Sequence, residues 1–174
     1  MPDEERTRNP FVKSSTGGRI LSALQLPVFA VRPPAGYGIL TTTGRKSGKT
    51  RRRCVRAVRR GDKVYFVAIK GTRTGWLRNV QANPNVRLRI RNGTYAGTAR
   101  ELHDAEKRAA MDAYCEAVSP FENLEYRMWR SGRPTRIKIE ELHRTWFERG
   151  TPLIVILPSS GSAVEPSGAG CHER

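Results

Sequence analysis

The stretch Val86 to Gly97, "VRLRIRNGTYAG", constrains this chain more than any other. Val86, Leu88 and Ile90 alternate with Arg87, Arg89 and Arg91, the period-two pattern of a strand with one buried and one wet face. Asn92-Gly93 follows, the strongest short signal for a β-hairpin turn. Thr94 to Leu102 reads as the returning strand. An antiparallel hairpin is therefore fixed, and its apolar side must be covered. The chain has 174 residues, enough for one domain with a real core.

A second hairpin carries the charge. "LTTTGRKSGKTRRR", Leu40 to Arg53, ends its glycine-rich turn in Gly-Lys-Thr, as a Walker A loop does. That loop needs four residues between its first glycine and Gly-Lys-Ser/Thr, followed by a helix. Here only Arg45, Lys46 and Ser47 separate Gly44 from Gly48, and "TRRRCVRAV", Thr50 to Val58, reads as a strand. A strand–turn–strand unit fits better than an NTPase loop, with both glycines allowing a tight turn. Residues 44–60 hold nine Lys/Arg and no acid, within a net charge of +16. Like charges at that density call for an anionic partner: nucleic acid, an acidic membrane or a polyanionic ligand. A solvated basic face is the bland alternative.

Composition excludes other classes. Hydrophobic residues are 37% and charged residues 28%, a soluble balance, and no apolar run approaches bilayer length. The first ten residues are polar, unlike a secretory leader. Cys54, Cys115 and Cys171 lack paired or metal-type spacing, and His103, His143 and His172 are scattered. That fits a reducing cytoplasm with no metal site expected.

The rest of the chain reads as a flexible tail over 1–16, one domain over 17–158 and a Ser/Gly/Pro-rich disordered tail over 159–174. Gly18 to Ala30 is a short helix ended near Pro27, and Tyr37 to Thr43 a strand. Lys63 to Ile69, "KVYFVAI", is apolar on both faces, as in a central strand or barrel wall. "GWLRNVQANP" is a short helix stopped before Pro84. Asp104 to Val118 is a helix on which Ala105, Ala109, Ala113 and Ala117 stack at spacing four, with Tyr114 and Val118 beside them. "SPFENLEYRMWRSG" is another helix, and Pro152 to Leu157 the last buried strand. Meandering strands, then helices, then one strand make an α+β fold: a small antiparallel β-barrel with helices outside.

Three blocks carry a family resemblance. "LTTTGRKSGKTR" resembles the signature hairpin of the deazaflavin-dependent nitroreductase family, "VAIKGTRTGWLRNVQANPNVRLRI" its second block, and "LIVIL" its C-terminal strand. The resemblance implies a split β-barrel like that of FMN-binding, pyridoxamine-phosphate-oxidase-like proteins. It implies coenzyme F420, whose tail carries a phosphodiester and an oligoglutamate, and hydride transfer to a small hydrophobic acceptor: a quinone, an enone or a nitroaromatic. By the same analogy Arg45, Lys46, Ser47 and Arg51 hold the phosphate end. Ala68, Ile69, Lys70, Gly71, Gly75, Trp76 and Asn79 cradle the ring. Tyr126 donates a proton or orients substrate, and Phe121 and Trp129 wall the substrate pocket. Ile69 stands where some members carry a small polar residue.

Plainer readings stand beside these. Trp76 serves equally as a core aromatic, Asn79 as a helix-end hydrogen bonder, Lys70 as a loop lysine, and the Phe121, Tyr126, Trp129 trio as helix packing. Arg133 to Gly150 looks like added sequence that covers the pocket or makes a dimer contact, with Glu140-Glu141 capping a short helix. Alternative functions are an FMN-binding split barrel or a basic nucleic-acid-binding domain. The latter lacks interleaved exposed aromatics on the arginine strand. A homodimer across the ligand site is plausible. The apolar "ILSALQLPVFAV" suits a peripheral contact with an anionic membrane, placing the protein in the cytoplasm or at the membrane's inner face.

Overall fold

The structure, a computed structural model, describes residues 26–27, 29–129 and 132–157. Seven strands, β1 (Tyr37–Thr43), β2 (Thr50–Arg56), β3 (Val58–Arg60), β4 (Lys63–Ala68), β5 (Asn85–Ile90), β6 (Gly93–Glu101) and β7 (Thr151–Ile156), form one sheet in the order β2-β1-β5-β6-β7-β4-β3. Every pairing is antiparallel. After β4, the α-helices among the described residues are α1 (Gly75–Ala82), α2 (Asp104–Glu116), α3 (Pro120–Trp129) and α4 (Arg136–Arg149). The two expected tails lie outside the described residues.

The strand order dictates closure. β2 and β3 are opposite edges of the sheet, yet only Ala57 separates them in the chain. A sheet whose outer edges are joined by one residue must curl until they meet. The seam is crossed by the chain rather than by ladder hydrogen bonds, which makes a split barrel. Leu40, Val64, Phe66, Leu88, Leu153 and Val155 fill its interior. β4 is apolar on both faces because Val64, Phe66 and Ala68 point inward, while Val67 packs outward with Val58, Ile154 and the helices. Burying a side chain of this kind contributes about 1.5–3 kcal/mol. A third cluster, Phe29, Tyr37 and Ile39 with Phe121, covers the other outer face.

Five expectations change. The strand expected over 50–58 breaks at Ala57, where the chain crosses the seam and the Ala57 N–H turns to the Gly36 carbonyl at 2.8 Å. The Val86 hairpin forms, but Ile90 pairs with Gly93, so Arg91-Asn92 is the two-residue loop. Neither has positive φ, so the loop is not the type I′ turn that Asn-Gly favours, and Gly93, at φ 147°, begins β6 instead. The alanine stripe of α2 is not its buried face: Ala105 and Ala109 are exposed, whereas Ala110, Tyr114 and Cys115 are buried. Tyr114 offers far more apolar area than any alanine, so it sets the rotation. The segment before β7 is no short cap but the fourteen-residue α4, packed through Ile139, His143 and Phe147. Residues 29–31 are helical, so helix is found beyond Pro27, with Phe29 buried there.

α4 ends where backbone meets backbone. A Cβ on Gly150 would lie 2.6 Å from the Trp146 carbonyl oxygen, 2.7 Å from Val67 Cγ1 and 2.9 Å from the Ala68 carbonyl oxygen. Two of these neighbours are main chain and cannot step aside. Gly150→Ala is expected to destabilise the fold by about 1–3 kcal/mol, read as a lower urea midpoint. An unchanged midpoint would show that α4 shifts freely over β4.

Candidate cofactor site

The basic turn is built by its ends. Thr43 pairs with Thr50, the Gly44 N–H donates to the Lys49 carbonyl at 2.9 Å, and the Gly48 N–H reaches the Gly44 carbonyl at 2.7 Å. Gly48 takes φ +64°, which closes the loop. Arg45, Lys46, Ser47 and Arg51 are all exposed there. What continues is strand β2, not a helix, so the loop is no Walker A cradle.

One buried amide ties this turn to α1. Asn79 Oδ1 accepts from both the Arg45 backbone N–H and its guanidinium Nη1, each at 3.3 Å. Asn79 Nδ2 donates to Thr42 Oγ1 at 3.3 Å. Asn79 and Thr42 are both buried, so the amide is satisfied by protein rather than water. Arg45 and Asn79, 34 residues apart, are therefore one unit.

The rest of the second block leads to the start of α1. Ala68 ends β4, paired with Thr151, and is buried; Ile69 is exposed and Lys70 half-buried. Gly71 opens a 3-10 turn at φ +52°, a conformation that favours glycine. At α1 the Thr74 side chain makes no capping bond, and the first turn holds no acid. A Cβ on Gly75 would meet nothing within 4 Å. The exposed Gly75 thus leaves room for a ligand against the start of the helix, an end that attracts anionic or carbonyl oxygen. Trp76 is half-buried, its ring 5.7 Å from that of Phe66, so it anchors α1 to the barrel.

The helical residues expected around a substrate all lie on α3. Phe121 packs edge-on against Tyr37 at 5.0 Å and Phe29 at 5.8 Å, at the far end of β1 from Gly44. Seven residues of extended strand separate the two ends, about 20 Å. Tyr126 is buried on α3, one turn beyond Glu122. The Trp129 side chain lies outside the described residues.

Beneath α3 lies a polar network that sequence reasoning missed. Arg56, one of the nine cations of the basic segment, is buried. Its Nε meets Glu122 Oε1 at 2.6 Å, and its Nη atoms donate to the Tyr114 and Ala117 carbonyls at 2.8 and 2.5 Å. His143 Nε2 lies 3.2 Å from the same Glu122 oxygen, and the Ser119 N–H donates to Oε2 at 2.6 Å. Burial alone would raise the Glu122 carboxyl, but His143, Arg56 and the Ser119 N–H outweigh it and hold it below the usual range. Beside it Tyr37 donates to Glu125, whose carboxyl is raised, chiefly by burial. Burial also pushes the Tyr114 phenol up to about 12. The signal was present: Ser119-Pro-Phe-Glu122 is an N-cap sequence, and it marks a carboxylate facing back toward the chain. Thr42 gave no signal.

Residues 13–140 match the family model for the F420H(2)-dependent quinone reductase. The chain belongs to that family. It is the deazaflavin family that the two sequence blocks resemble, and the protein is an oxidoreductase of the F420H2-dependent quinone reductase family. Among solved structures, an F420-H2 dependent reductase, FDR-A, is 27% identical, with 70% of this chain and 93% of that one covered and a TM-score of 0.48. A structure described as a domain-swapped dimer is 26% identical over 79% of this chain and 91% of that one, with a TM-score of 0.51. A pyridoxinephosphate oxidase family protein from Clostridium acetobutylicum is 14% identical over 71% and 75%, with a TM-score of 0.42. Membership of the F420H2-dependent quinone reductases implies F420H2 as the cofactor. The residues present fit such a group: exposed cations on the turn, and an uncapped helix start beside two glycines.

Proposed function

We propose that this reductase holds the phosphodiester and oligoglutamate of F420 on the turn carrying Arg45, Lys46, Ser47 and Arg51. The ring end would lie along Ala68, Ile69, Lys70, Gly71, Gly75, Trp76 and Asn79. The observation that carries the reading is the Thr42–Asn79–Arg45 junction, which joins the two sequence blocks into one surface. When bound, reduced F420 supplies a hydride from carbon five of its ring. The chain's own task is orientation and exclusion of water. Arg45, fixed by Asn79, grips one anionic oxygen in a set position. Trp76, wedged on Phe66, keeps α1 from rocking. Tyr126 holds a proton at its phenol oxygen, and Phe121 and Trp129 supply apolar wall for the acceptor. The acceptor is a quinone, an enone or a nitroaromatic.

Two partner readings accompany this. A homodimer follows the domain-swapped relative. Among the described residues no helix is long and apolar enough to cross a membrane. A peripheral contact with an anionic surface draws on Val31, 82% exposed, beside exposed Arg32 and Arg89, whose Nη2 donates to the Val31 carbonyl.

Titration with F420 and, in parallel, FMN, followed by tryptophan quenching, tests the cofactor. Micromolar or tighter F420 binding with weak FMN binding is expected. Absent F420 binding with tight FMN binding would replace the deazaflavin by a flavin on the same barrel.

A further inference from the structure

At the pole of the barrel opposite the Arg45 turn lies a hollow of about 220 Å³ that the cofactor reading does not use. It opens between the turn before β1, strand β3 and the Arg91-Asn92 loop. Its floor is apolar, with Tyr37, Val58 and Ile90 among its walls. Gly36, at φ +80°, adds bare backbone, and a Cβ there would meet nothing within 4 Å. Three arginines, Arg59, Arg60 and Arg91, line it, and none of the lining residues is acidic.

The three cations differ. The Arg59 guanidinium is fixed: Nε donates to the Gly61 carbonyl at 2.8 Å, Nη1 to Tyr95 Oη at 3.1 Å, and the group lies 5.1 Å from the Tyr95 ring centre. Arg60 and Arg91 are exposed and have no hydrogen-bond or ion-pair partner among the described residues. Two unpaired cations over an apolar hollow favour a ligand with an apolar body and an anionic end. The volume lies below the range of drug-sized pockets, about 300–1,000 Å³, so that body is no larger than one ring. We propose that this hollow is a second ligand site, for a small aromatic carboxylate. The carboxylate sits between Arg60 and Arg91 and the ring on Tyr37, Val58 and Ile90. The site is independent of the cofactor reading, since the length of β1 separates it from Arg45.

Benzoate is the probe, titrated against the full chain by calorimetry, with benzamide as its uncharged counterpart. Benzoate is expected to bind at least about tenfold more tightly than benzamide, since a charge-assisted contact is worth that much. In Arg60→Glu/Arg91→Glu, whose exposed positions leave the fold and F420 binding intact, benzoate affinity should fall at least tenfold by the same contact. Unbound benzoate, equal binding of benzamide, or binding that survives the charge reversal would overturn the proposal. So would displacement of benzoate by F420, which would assign the carboxylate to the Arg45 turn.

Discussion

Glu122→Ala is expected to lower the unfolding free energy by about 3–5 kcal/mol, because it strips the buried Arg56 of the carboxylate it is bonded to. The side chains of Arg56 and Glu122 are 5% and 3% exposed, so water cannot replace the lost partner. For a chain this size that is a fall in melting temperature of about 10 °C or more. Glu122→Gln keeps the shape and the Ser119 contact but not the charge, and should lose most of the same stability. pH gives an independent reading. The folded Glu122 carboxyl is held below its unfolded value, so its contribution is present above the ordinary carboxylate range. It is lost as the pH falls through the folded value. In the alanine variant that part of the acid dependence should vanish. A loss under about 1 kcal/mol, the scale of a surface pair, would show that the helical layer does not depend on this carboxylate.

Arg45→Ala should weaken F420 binding by about 1.5–3 kcal/mol, roughly ten- to a hundredfold, the worth of a hydrogen bond to a charged group. Asn79→Ala separates two roles. If Asn79 acts by holding Arg45, as the paired 3.3 Å contacts indicate, its removal weakens binding in the native background. It should then add little once Arg45 is alanine, a coupling read from the double-mutant cycle. Full additivity would make Asn79 an independent ligand. Tryptophan quenching by F420 measures all four proteins.

The pattern-bearing elements were legible. Tyr37 to Thr43 and the Val86 hairpin follow from alternation, and the helix of Trp76 from its breakers at Gly75 and Pro84. What escaped was set by partners distant in sequence. Arg56 looks like its eight cationic neighbours until Glu122, 66 residues on, folds over it. Ala57 looks like mid-strand because its neighbours alternate well; only the return of β3 to the far edge makes it a corner. Asn79 could be singled out by resemblance, but its partner Thr42 is an ordinary strand threonine until the barrel curls. Among the proposed site residues, those on backbone turns are announced by Gly44, Gly48 and Gly71. Those on α3 depended on packing that spacing does not encode.

β7 lies between β6 and β4, so the sheet is two separate sections until residues 151–156 have been synthesised. During translation β4 and β6 each wait with an open row of N–H and carbonyl groups. Of the seven described strands, the one that seals them is the last to be synthesised. The chain's own β7, tethered to both rows, meets them at a far higher effective concentration than a neighbour's strand would. An exchanged pair would keep the same β4–β7 and β6–β7 ladders, so only a high local chain concentration while β7 is being made would favour it.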